Sequence, residues 1–206
     1  MPGLDVVPDS IRLQQGRDFP LDDVVVLGRK AAYELAVERQ VKRTLEIAPS
    51  SDPWRKTMRQ CLQSLESFGD EIDADRHRLG VTASGPLHAL EVLRSLAAYA
   101  SAQKSVDDLL RQLSNMGQDH RRLWRHLTDT VRDLLTERDG AAPAAEFVEL
   151  TAFRIARRLV VHVEPTEHIS PRYPYLCALL EDRVLQAGSQ HDSAAVYRMV
   201  GEFAQE

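Results

Sequence analysis

The chain is short of several things, and each shortage excludes something. Its 206 residues include only two cysteines and two tryptophans, and aromatics make up 6%. Two cysteines exclude a disulfide scaffold. Cys61 precedes Leu62, Cys177 lies between Leu176 and Ala178, and neither belongs to a CxxC pair. Both read as small buried thiols in a reducing compartment. Lysine occurs only at Lys30, Lys42, Lys56 and Lys104, so the remaining basic residues are arginine. That bias reads first as GC-rich codon usage and second as a demand for the bidentate contacts that arginine makes. Apolar runs such as Leu87 to Leu90 and Leu96 to Ala100 are soon interrupted. A membrane-spanning helix needs about 20 apolar residues, so none is expected. Met1-Pro2-Gly3-Leu4-Asp5 has neither a basic start nor an apolar core, so no secretory signal is expected and a cytoplasmic location is.

What is present is the composition of an ordinary globular chain: 43% hydrophobic, 28% charged, a formal net charge of −5, and ten each of glycine and proline. Collagen-like, low-complexity and wholly disordered chains are excluded.

Periodicity points to helices throughout. Residues 1–19 read as an extended or partly ordered arm that packs through Val6, Val7, Ile11 and Leu13. Pro20-Leu21-Asp22-Asp23 is a helix-start signal. The rows Leu27-Ala31-Leu35 and Tyr33-Val37-Val41-Leu45 repeat every four residues and predict a first helix from Leu21 to about Ala48. The run Val24-Val25-Val26-Leu27 has strand propensity, but the helical spacing after it outweighs that. Pro53 opens a second helix that reaches about Leu79, and Pro86 a third that ends near Met116, with a polar stretch from Ser101 to Ser105. A fourth is expected from Asp119 to Asp139, a fifth from Pro143 to Pro165, and two shorter ones from Tyr175 to Ala187 and Ser193 to Ala204. The expected fold is therefore all-α, an antiparallel bundle of about seven helices. It fills a single domain over 20–206, with a sub-boundary near 140–143.

Chemistry-bearing patterns are few. The seven histidines form no HExxH or Glu-x-x-His pair, so no metal is expected. No Gly-rich phosphate loop or nucleophile elbow occurs, so no cofactor is expected either. Asp70, Glu71, Asp73 and Asp75 read as a solvated helix end. Arg121, Arg122 and Arg125, with Arg154, Arg157 and Arg158, read as partners for nearby carboxylates. The net charge of −5 argues against a dedicated nucleic-acid domain while leaving room for a local basic patch. Tyr173-Pro174-Tyr175 reads as packing.

Arg157-Arg158-Leu159-Val160-Val161-His162 places an arginine five residues before a histidine, and Arg121 to His126 repeats the spacing. The first of these resembles the RxxxxH motif of the HEPN superfamily of helical ribonucleases and nucleotide-binding proteins. The resemblance implies that Arg157 stabilises phosphate charge and His162 transfers a proton, across a groove between two subunits. The residues themselves also fit a simpler reading, because His162 continues the apolar row Val148, Ala152, Ile155 and Leu159. The function expected from the sequence is thus a non-catalytic interaction or regulatory protein. It would self-associate through the two apolar rows of its first helix, with a HEPN-like ribonuclease as the alternative.

Overall fold

The computed structural model describes residues 8–13, 18–21, 23–30, 33–42, 44–83 and 87–163. The chain divides into two compact units, Met1–Val163 and Glu164–Glu206. The second unit lies outside the described residues, as do the two short helices expected there, Cys177 and Tyr173-Pro174-Tyr175. The break at 140–143 falls between two helices of the first unit.

The described residues form a five-stranded mixed sheet and five helices, not an all-α bundle. The strands are β1 (Pro8–Leu13), β2 (Val24–Lys30), β3 (Tyr33–Lys42), β4 (His77–Ala83) and β5 (Leu159–Val163), and they lie in the sheet in that order. β1, β2 and β3 make an antiparallel meander, whereas β4 runs parallel to β3 and β5 parallel to β4. Parallel neighbours need a crossover. Helix α1 (Asp52–Asp73) supplies the one from β3 to β4. Helices α2 (Leu87–Ala102), α3 (Val106–Asn115), α4 (Gln118–Asp139) and α5 (Ala145–Arg158) together supply the one from β4 to β5.

The expected first helix is in fact the hairpin β2–β3, and β1 forms within the stretch expected to be an arm. A four-residue repeat is also twice the two-residue repeat of a strand, so Tyr33, Val37 and Val41 share one strand face as readily as one helix face. The uninterrupted β-branched run of β2 decides between them, and two apolar rows on one helix become residues of a paired sheet. The expected second helix ends at Asp73, and Asp75 adopts a left-handed backbone (φ 59°) as the chain turns into β4. The expected third helix is two, broken at 103–105. There the Ser105 hydroxyl caps α3 by accepting from the Asp108 N–H at 3.2 Å. The last turn expected of the fifth helix is β5, where Val160, Val161 and Val163 favour a strand.

The core is made by Leu21, Leu45, Trp54, Met58, Ile72, Leu79, Leu90, Leu96 and Leu127, all fully buried. Full burial of each such side chain contributes about 2 kcal/mol. Trp54 also donates its indole N–H to Thr130 Oγ1 at 3.0 Å, which ties α1 to α4. No helix among the described residues is long and apolar enough to cross a membrane.

Candidate functional site

β3 is the central strand and the first of three parallel strands. In open sheets, ligands bind beyond the carboxyl ends of parallel strands. At that end of β3 the sequence runs Glu38-Arg39-Gln40-Val41-Lys42. Side chains alternate along a strand, so Glu38, Gln40 and Lys42 share one face. Glu38 and Gln40 are only 0% and 2% exposed, unusual for such groups in mid-strand.

Asp23 meets this face from the residue before β2. Its Oδ2 accepts the Val41 N–H at 2.7 Å and a hydrogen bond from Gln40 Nε2. The last β2–β3 pair is Val24 with Arg39, so the Asp23 carboxylate extends the ladder by standing where a further strand carbonyl would. Gln40 Oε1 is buried and has no hydrogen-bond partner among the described residues. An unsatisfied buried carbonyl oxygen is costly, so its retention beside a carboxylate calls for an explanation. The amide nitrogen of Gln40, not this oxygen, faces Asp23.

Lys42 leads from this pair into a cavity of about 470 Å³ lined by Lys42, Asp52, Pro53, Arg55, Lys56 and Arg59. The helical residues are the first two turns of α1, whose N-cap Ser51 makes no side-chain cap bond. The positive end of the helix dipole therefore opens on the same cavity as four cationic side chains. Arg55 and Arg59 are held in place by Glu137 of α4.

Beneath the pair, Glu38 is tied to its surroundings. Oε2 accepts the Leu21 N–H at 3.0 Å, and Oε1 lies 2.9 Å from His77 Nε2. The fully buried Cys61 thiol of α1 is pushed up from its ordinary pKa by burial first and by the charge of Glu38 second, which makes it an inert thiol.

Arg157 and His162 lie on different elements. Arg157 is in the last turn of α5, its guanidinium 5.9 Å from the centre of the Phe153 ring. His162 is on β5, opposite Thr82 in register, and both residues are half-buried. The second spelling, Arg121 and His126, does share one helix, α4. Half of the acidic cluster pairs with two of the three arginines of the second cluster. Arg154 pairs with Asp73, Arg158 with Asp75, and Arg158 also donates to the carbonyls of Ile72 and Asp73 at 2.8 and 2.9 Å. Burial lowers the Arg158 pKa, and Asp75 opposes that shift.

Asp23 and Gln40, which meet, and Lys42, which lines the cavity, are not marked by any motif in the sequence. The signal that marks them is weak: polar residues at 38, 40 and 42 with Val37 and Val41 between or beside them, an alternation that Arg39 interrupts, preceded by an aspartate at the head of a valine run.

No family model matches the chain, and no solved structure matches it. It is similar to the bifunctional protein FolD of Chlamydia muridarum, 31% identical over 106 residues, which is 52% of this chain and 36% of that protein. The chain thus matches little more than a third of that relative's length.

Proposed function

We propose that the carboxyl end of β3 is a phosphodiester-cleaving site that acts on a nucleic-acid backbone with the help of a divalent cation. The observation that carries this reading is the cavity lined by Lys42, Arg55, Lys56 and Arg59 at the carboxyl end of β3, two residues along the strand from Gln40, which bonds Asp23.

Among the described residues no three His, Cys, Asp or Glu side chains gather into a cage. A caged zinc or calcium site is therefore not the model. Magnesium is bound differently, through one or two protein oxygens, several waters and the oxygens of its substrate. Asp23 would supply the carboxylate of that pattern. The cation would polarise a phosphoryl oxygen and lower the pKa of a bound water. The chain's own residues supply the rest. Lys42 offsets the charge that builds on the phosphoryl oxygens as water attacks. Arg55, Lys56 and Arg59 take the neighbouring phosphates, a spread of charge that suits a polyanion better than a single phosphate. Water adds to phosphorus, one P–O bond breaks, and the products are a phosphomonoester and an alcohol.

Incubating the purified chain with plasmid DNA and with single-stranded RNA, in magnesium, in manganese and in excess chelator, tests the reading. Cleavage of either substrate that chelator abolishes is the expected result. Both substrates remaining intact in both metals overturns it.

A further inference from the structure

We propose that Glu38 is a positioning residue for Asp23. The inference rests on the reading above only in calling Asp23 a cation ligand; the positioning itself stands on geometry. A buried carboxyl group is tolerated when its oxygens are bonded, and both oxygens of Glu38 are. One takes the backbone N–H of Leu21, two residues before Asp23, and the other faces His77.

His77 is in turn fixed from α1. Its ring stacks on Phe68 at 4.5 Å with 22° between planes, and Phe68 stacks on Phe19 at 5.6 Å. Phe68 is the residue at which α1 leaves helical geometry (φ −132°, ψ 28°). The segment leading into β2 is therefore held at two points, the Phe19 ring and the Leu21 N–H. Both anchors lead back to β3 and β4 through Glu38 and His77. With Leu21 fixed, Asp23 falls where Oδ2 meets the Val41 N–H. Glu38 thus touches neither cation nor substrate and acts only through the placement of Asp23.

The Val41 amide reports that placement, because its partner is the Asp23 carboxylate rather than a strand carbonyl. Hydrogen exchange at Val41, measured by NMR against the amides of α4, is compared in wild type, Glu38→Leu and Glu38→Gln. Leucine fills the space but accepts nothing, so exchange at Val41 rises about tenfold while α4 amides keep their rates. Glutamine still presents an oxygen to Leu21 and largely restores protection. If Val41 moves no more than α4 in Glu38→Leu, or if glutamine behaves as leucine does, the proposal is overturned. Should Glu38→Leu fail to fold, His77→Phe replaces it. That variant keeps a ring on Phe68 and removes the second anchor of Glu38, and selective exchange at Val41 is again the expected result and its absence the contrary one. Manganese binding to the wild-type protein, read by electron paramagnetic resonance, separates the two claims. No binding counts against the cleavage reading alone, since exchange at Val41 still decides the role of Glu38.

Discussion

Individual residues carry the site, and the telling ones are polar groups in places that apolar groups usually fill. Glu38 and Gln40 lie in the middle of a central strand, and each is retained by specific bonds rather than by exposure. Close packing under them leaves no slack. A Cβ at Gly80 of β4 would sit 2.9 Å from the Glu38 carbonyl oxygen and 3.0 Å from Arg39 Cγ. Gly80→Ala must therefore push β3 and β4 apart, at an expected cost of about 2 kcal/mol in urea denaturation. A variant as stable as wild type would show that the strands yield freely at that point. Residues like these were hard to read in the sequence. On a presumed helix these polar side chains spread around the surface, and only the strand assignment puts 38, 40 and 42 on one face, with Glu38 and Gln40 buried.

Elements explain both what was legible and what was not. α4 follows its 3.6-residue period and ends at Gly140 in a left-handed conformation, and the breaks at Pro49–Pro53 and at 140–143 carry local turn chemistry. β2 and β3 were hidden because helix and strand repeats coincide at four residues. β4 and β5 were hidden because neither junction, the three-residue turn after α1 or the direct passage from α5, holds a proline or glycine that forces a stop. At the end of α1 the stop comes from elsewhere in the chain, since buried Arg158 bonds the carbonyls of Ile72 and Asp73. Arg158→Met removes the side-chain donor from both carbonyls, leaving Ile72 only the Asp75 N–H, with an expected loss of about 3 kcal/mol in thermal or urea unfolding. Lysine should not rescue it, because the fork that reaches two carbonyls and Asp75 is lost. Full rescue by lysine would mean that charge alone matters there.

The start of α3 gives a pH signature. Asp108 is held below its ordinary pKa first by the Ser105 hydroxyl and then by Arg111. A carboxylate with a lowered folded pKa stabilises the fold above its unfolded value and loses that contribution as pH falls through the folded one. Ser105→Ala should therefore cost about 1 kcal/mol at neutral pH. The gap from wild type should narrow as pH drops below the ordinary aspartate range. A gap that stays constant into acid would separate the cap from Asp108.

For the molecule as a whole, net charge does not report where the charges gather. The chain carries −5 overall, yet four cations line one cavity beside the carboxyl end of β3. Acids pair with arginine away from the cavity, as Asp73 with Arg154, Asp75 with Arg158 and Asp129 with Arg132, and beside it, as Glu137 with Arg55 and Arg59. Topology gives that cavity its place. The sheet changes from antiparallel to parallel at β3, so the start of β2, the end of β3 and the start of α1 meet at one edge. The most direct test of the account compares magnesium-dependent plasmid cleavage by wild type, Asp23→Asn and Lys42→Met, each first shown to be folded by circular dichroism. The account predicts chelator-sensitive cleavage by wild type and a loss of about a hundredfold or more in each variant. Wild-type rates in either folded variant would contradict it.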